Sequence, residues 1–274
     1  MTEIDLAAQA RITRHIAETI GARTAQVSAA VALLDEGATV PFIARYRKEV
    51  TGGLDDTQLR NLQELLIYGR ELEERRAAVI ASVEEQGKMT EELRQAFEAA
   101  DTKQRLEDLY LPYKPKRKTR AQAAVAAGLE PLADKLWKNP GLDPQAEAQA
   151  FVSADKGVAD TKAALDGARD ILAERFAENA DMLEMLRAWL WKHAFIVSLV
   201  DEAKKATPEA ANFRDYFDYS EALNEVASHR ALALFRGRQE GVLTLKMLLT
   251  EEEEALPVHP CQKLIADFLG WHDE

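Results

Sequence analysis

The chain has 274 residues, of which 47% are apolar, and a formal net charge of −12. It is long enough to bury a sizeable core, in one domain or in two packed ones. Its single cysteine, Cys261, excludes a disulfide framework and a cysteine-rich zinc site. The N terminus lacks the apolar stretch of a signal peptide, and the most apolar run, Ala188–Val200, is too short to span a bilayer. We therefore expect a soluble, cytoplasmic protein with no membrane partner.

Helix signals dominate the first part of the chain. Candidate caps at Thr2-x-x-Asp5, Thr24 and Thr39 open three short helices, which Gly21 and Gly37 separate. Three short helices joined by glycine turns fit a helix-turn-helix unit, but an ordinary three-helix bundle is slightly favoured.

A long helix follows, from about Thr57 to Gln86, capped by Asp55 and Asp56. Its apolar stripe is rich in leucine, and Gly69 lies inside it at a cost of about 1 kcal/mol. Further caps at Thr90 and Asp101 start two more helices. We predict an all-α, multi-helix bundle with a long central helix.

The second half of the chain contains shorter helices, one long apolar helix and one strand. The long one, from Met182 to about Ala206, is apolar around nearly its full circumference, so we expect it, with Trp191, to be the most deeply buried helix. The run Val242–Leu249 alternates with period two and predicts the one small β element, a strand without an evident partner. We place the domain boundary between residues 206 and 207.

The strongest functional signal is a basic segment, Lys114–Arg120. Pro112 and Pro115 end the preceding helix and hold the chain extended, and Thr119-x-x-Gln122 reads as a capping box for the next helix. The window Lys103–Arg120 carries seven basic and two acidic residues, or +5, so the rest of the chain sums to −12 − 5 = −17. Positive charge is concentrated here, which favours one local anionic contact. The candidate nucleic-acid-binding residues of the segment are Tyr113, Lys114, Lys116, Arg117, Lys118 and Arg120, and Tyr110 is a second ring for base stacking.

Two weaker basic signals each have a structural alternative. Ser228 reads as an N-cap, and Arg230 in the following turn is placed to bind a phosphate, although pairing with Asp215 or Asp218 is the favoured alternative. Arg45, Arg47 and Lys48 form a small cluster beside Phe42 and Tyr46, for which a solvated helix face is the favoured alternative.

Signals for an enzyme are poor. The five histidines show no metal-ligand spacing, no glycine-rich phosphate loop is present, and Asp215 and Asp218 are a weak pair for a metal ion. We therefore predict no catalytic residues, no metal and no cofactor.

Three stretches resemble a known family, namely VALLDEGATVPFIARYRKEVTGGLDD, RLEDLYLPYKPKRKTRA and FRDYFDYSEALNEVASHRALALFRGRQEGVL. They are similar to the N-terminal half of the Tex family of bacterial transcription accessory proteins. The resemblance covers essentially the whole chain. It implies a helical region with a helix-turn-helix, followed by RNase H-like, helix-hairpin-helix and S1 domains that this chain lacks, so we expect an N-terminal fragment. Ala227 stands where the family tends to have a proline.

Two functions are consistent with these observations. The first is a non-enzymatic transcription accessory module that binds RNA or DNA weakly, in a salt-dependent way, through the basic segment. The alternative is a protein-interaction scaffold that docks on RNA polymerase, on the ribosome or on its own missing domains.

Overall fold

The computed structural model describes residues 6–271. The proposed cap at Thr2-x-x-Asp5 lies outside them. The fold is predominantly α-helical with one small sheet, as the sequence predicts. The chain forms two compact units, Met1–Pro115 and Lys116–Glu274. The boundary that the sequence suggested, at 206/207, lies inside the second unit.

All regular secondary structure in the described part of the first unit is helical, and the other helices pack against its long helix. Asp55 caps that helix by accepting from the Gln58 backbone N–H at 2.7 Å. The first half of the helix packs on the three preceding helices through Ile16, Leu59 and Leu62, and the second half packs on the two following ones. The helices are α1 (Leu6–Ile20), α2 (Thr24–Asp35), α3 (Val40–Tyr46), α4 (Asp56–Glu85), α5 (Glu91–Ala99) and α6 (Lys103–Tyr110).

Gly69 has a packing reason inside α4. A Cβ at this position would lie 3.1 Å from Cγ2 of the buried Ile12 on α1. The glycine therefore allows the two helices to approach closely, which offsets its poor helix propensity.

The second unit begins with a helical part built around one helix of 17 residues, α10. Asp160 caps it, and small residues such as Ala164 and Ala168 let its neighbours pack closely. The helices of this part are α7 (Arg120–Ala126), α8 (Glu130–Lys138), α9 (Pro144–Ala148), α10 (Thr161–Ala177) and α11 (Ala180–His193).

A three-stranded antiparallel sheet follows, with strand order β2-β1-β3. Strand β3 pairs with β1 over its whole length, for example Leu243 with Val200. The expectation that this strand lacks a partner is therefore wrong. The elements are β1 (Phe195–Val200), β2 (Asp218–Ala222), α12 (Ser228–Gln239), β3 (Leu243–Leu248), α13 (Glu251–Glu254) and α14 (Pro260–Leu269).

The predicted helix from Met182 to about Ala206 is also wrong. Asn179 caps α11, which ends at His193, and Ala194 is already extended. The next six residues form the central strand of the sheet, where Ile196 and Ser198 are buried. Trp191 is 54% exposed, so it is not a core residue. A short, continuous apolar run does not distinguish a helix from a buried strand, and here strand pairing decided the outcome.

Helix α12 lies against the sheet, and its N-cap differs from expectation. Ala227, not Ser228, holds the N-cap position, and no side chain caps it. Gly237 lies buried within the helix, which continues to Gln239. A Cβ there would lie 2.5 Å from Cδ1 of Leu243 on β3, so the glycine allows helix and sheet to pack together.

Candidate nucleic-acid interface

The basic segment adopts the conformation that its prolines and cap predict. A 3₁₀ turn, Leu111–Tyr113, follows α6, and the backbone is extended at Lys114. Thr119 then caps α7: its hydroxyl oxygen accepts from the Gln122 backbone N–H at 3.0 Å. In return, the Gln122 side-chain oxygen accepts from the Thr119 backbone N–H. The two compact units meet in sequence at Pro115 and Lys116. Residues 116–120 therefore belong to the second unit.

Lys116 is held by acidic side chains of the second unit. Its ammonium forms an ion pair with Glu178 and lies 4.0 Å from Glu174. Both carboxylates lie at the C-terminal end of α10, where the helix dipole also favours a cation. Lys116 is mostly buried, so its position indicates that it anchors the segment.

Arg117 and Lys118 are exposed, and within residues 6–271 neither forms an ion pair. Arg120 is 86% exposed, and its Nε lies 3.7 Å from Oδ2 of Asp170. Lys114, in the first unit, lies at the same distance from Glu107, which already accepts from Arg75. Both contacts are long, at 3.7 Å, so these ion pairs hold Arg120 and Lys114 only weakly.

The two tyrosines of the region face the core of the first unit. Tyr110 is buried, and its hydroxyl lies 3.0 Å from Ser82 Oγ. Its ring is therefore not available for base stacking, contrary to expectation. Tyr113 is half-buried against the same cluster, and its carbonyl accepts from the Gln86 side chain at 2.9 Å.

Arg230 is paired, as the structural alternative for it predicts, but with a different acid. Its Nε donates to Glu221 Oε2 at 3.0 Å and its Nη2 donates to Oε1, while the Tyr219 hydroxyl donates to the same carboxylate. Burial, together with this hydrogen bond, raises the pKa of Tyr219 to about 12. Hydrogen bonds from Tyr219 and Arg230 keep the pKa of Glu221 below its usual value. The charge of Arg230 is thereby balanced in place, and a bound phosphate would have to displace Glu221.

Helix α3 presents the third basic candidate, which lies in the first unit. Arg45 is exposed, whereas the Arg47 guanidinium lies over the Phe42 ring, 5.1 Å from its centroid, and donates to the Tyr46 carbonyl. Sequence reasoning found these cations, but it could not tell that the Phe42 and Tyr46 rings are exposed with them.

A buried polar network in the first unit had no sequence signal. Arg76 is 4% exposed and pairs with Glu73, which also accepts two bonds from Arg11. The Arg76 guanidinium donates to the carbonyls of Phe97, Glu98 and Ala100. It thus satisfies the open end of α5 and joins that helix to α4.

Two further findings concern the described part of the chain alone. No group of three or more His, Cys, Asp or Glu residues there is placed to hold a metal ion. No helix there is long and apolar enough to cross a membrane.

Two family models match the chain. The Tex-like protein N-terminal domain matches residues 10–84, and the Tex central region-like model matches residues 139–274. The chain belongs to the Tex family. The sequence prediction of this family is therefore confirmed. The N-terminal match covers most of α1, all of α2 and α3 and nearly all of α4, and the central-region match covers the whole sheet.

Three relatives show the range of the family. The chain is 60% identical over 258 residues to Protein YhgF of Escherichia coli, covering 94% of this chain and 33% of that protein. It is 56% identical over 236 residues to the Transcriptional accessory protein Tex of Neisseria gonorrhoeae, covering 86% and 31%. It is 31% identical over 227 residues to the human S1 RNA-binding domain-containing protein 1, covering 81% and 22%. The chain thus spans about a third of the length of its bacterial Tex relatives, and less of the human one.

Proposed function

We propose that this chain is a non-enzymatic, nucleic-acid-associated module of a transcription accessory protein, and that its basic segment contacts phosphates. The observation that carries the proposal is the pair Arg117 and Lys118, two exposed cations that lack ion pairs in the described part of the chain. The printed names of two relatives, one a transcriptional accessory protein and one containing an S1 RNA-binding domain, support the class of function.

The anchoring of Lys116 supports the proposal in a second way. Lys116, which pairs with Glu178, and the cap at Thr119 hold the chain on both sides of the exposed Arg117 and Lys118. Prepositioned cations lose less conformational entropy when they meet a phosphate. The remaining −17 of the chain repels nucleic acid, so binding is weak and confined to short contacts.

The test is fluorescence anisotropy with a labelled 15-nucleotide RNA, a DNA strand of equal length and a 15-base-pair duplex, at several salt concentrations. Two phosphate contacts give a log–log salt slope of about −1.4 on single strands or −1.8 on duplex. The double variant Arg117→Gln, Lys118→Gln removes these contacts, so we expect it to flatten that slope.

The control removes the same charge elsewhere in the second unit. Lys138→Gln with Lys263→Gln changes two exposed lysines that form no ion pair with any described residue. We expect wild-type affinity and slope from this control. If both double variants bind alike, the basic segment makes no phosphate contact. Co-purification with a protein partner, in the absence of nucleic-acid binding, would instead assign the chain to a docking role on RNA polymerase or the ribosome.

A further inference from the structure

Helix α3 carries a second surface with the composition of a single-strand binding site. Phe42 is 40% exposed and Tyr46 is 60% exposed, with 5.4 Å between their ring centroids. Arg45 and Lys48 are exposed beside them and form no ion pair with any residue in 6–271. Two exposed aromatic rings next to two uncompensated cations are not required by the core of this unit. We name these four residues the α3 patch.

The opposite side of α3 holds the patch rigidly. Ile43 is fully buried, in the same cluster as Leu59 and Leu62 of α4. Anchoring on one side leaves the α3 patch facing solvent in a fixed orientation.

The turn that follows α3 is also fixed. The Gln26 side chain on α2 donates to the carbonyls of Thr51 at 3.2 Å and Gly52 at 2.9 Å. Thr51 is fully buried, and its N–H donates to the Arg47 carbonyl. The rings are therefore prepositioned, which reduces the entropy lost on binding.

We propose that the α3 patch binds single-stranded nucleic acid, with a base stacked on Tyr46 and phosphates on Arg45 and Lys48. This deepens the proposed function and rests on its claim that the chain associates with nucleic acid. Unpaired bases expose their faces and stack on aromatic rings, whereas a duplex keeps those faces inside its own stack. The cations favour an anionic ligand, and the rings favour one with flat faces, which an acidic polypeptide does not offer.

The binding test uses labelled 15-mers of uridine and thymidine, which separate RNA from DNA, and a 15-base-pair duplex. We expect the single strands to bind more tightly than the duplex. Tyr46→Leu should weaken single-strand binding about 5-fold or more, and Tyr46→Phe should retain it, because a phenyl ring still stacks. Arg45→Gln with Lys48→Gln should reduce the log–log salt slope by about 1.4.

The matched control removes an exposed ring from the second unit. Phe235 is 55% exposed on α12, and Phe235→Leu should leave binding unchanged. Because Tyr46 is mostly exposed, we expect the thermal midpoint of Tyr46→Leu to stay near that of the wild type, so that a loss of binding is not a loss of fold.

The outcomes separate this inference from the proposed function. If Arg117→Gln with Lys118→Gln weakens binding while Tyr46→Leu does not, the basic segment stands and the α3 patch is overturned. The reverse result keeps the patch and overturns the segment, and a wild-type chain that binds none of the probes overturns both. Displacement of the probe by poly-L-glutamate at equal charge, together with wild-type binding by Tyr46→Leu, would assign the patch to an acidic protein.

Discussion

Arg76 and Glu73 form an ion pair on the buried side of α4, with 3.3 Å between Nε and Oε2. The same guanidinium donates to carbonyls at the end of α5. The Arg76 side chain therefore pairs with the buried Glu73 carboxylate and also satisfies backbone carbonyls at the C-terminal end of α5.

Replacing Arg76 with methionine should lower the free energy of unfolding by about 3–5 kcal/mol, because it leaves buried acceptors without a donor. Denaturant unfolding followed by circular dichroism measures this. Arg60→Met is the control on the same helix, since Arg60 and Asp56 form an exposed pair at 2.7 Å and should contribute less than about 1 kcal/mol. Equal losses from the two variants would contradict a special role for Arg76.

Glu73 makes part of the stability dependent on pH. Burial raises its pKa, but hydrogen bonds and charge from Arg11 and Arg76 outweigh burial and hold it below the ordinary 4.5. A depressed pKa stabilises the folded state above about pH 4.5, and the contribution is lost as pH falls through the lower, folded-state value. The difference in unfolding free energy between wild type and Glu73→Gln should therefore shrink from pH 7 towards pH 3. A difference that stays constant over this range would show that the charge of Glu73 does not matter.

Gly237→Ala should destabilise the second unit even though alanine is the better helix former. The new Cβ would lie 2.5 Å from Cδ1 of Leu243 and 3.0 Å from Cδ1 of Phe213, and both side chains are buried. Overpacking of this kind costs about 1–3 kcal/mol. Gly141→Ala is the control, because a Cβ there has no heavy atom within 4 Å. Thermal unfolding of the two variants tests the claim, and a raised midpoint for Gly237→Ala would refute it.

Truncation to alanine should destabilise the protein more at Leu234 than at Trp191, although tryptophan is the larger side chain. Leu234 is fully buried in α12, so Leu234→Ala should cost about 2–5 kcal/mol. Trp191 is half-exposed, and Trp191→Ala should cost clearly less. Denaturant midpoints give the comparison directly. A larger loss at Trp191 would contradict its exposed position on α11.

Local signals predicted the helices well. The caps at Asp55, Thr90 and Thr119 all form the expected bonds, because a cap needs only residues within one turn of itself. The Tex resemblance depended on equally local motifs. The partner of β3 was missed because the apolar stretch that supplies β1 also fits a helix, and only pairing with distant strands resolves it.

The candidate site shows the same division. The concentration of positive charge identified the segment around Lys116. The sequence could not predict that Lys116 pairs with Glu174 and Glu178, because these residues are far from it in sequence. The same holds for Arg230 and Glu221. Sequence gives the type of side chain, whereas the fold decides which cations remain available to a ligand.

The position of β1 at the centre of the sheet has a consequence for synthesis on the ribosome. Val200 and its partner Leu243 are 243 − 200 = 43 positions apart, so β1 is made before the strand that covers one of its edges. At about 5–20 residues per second, that edge waits about 2–9 s for its partner. Through that interval an apolar strand with unpaired backbone groups is open to wrong partners. Nascent chains stalled between residues 200 and 243 therefore leave this edge of β1 without its native partner for as long as they are stalled.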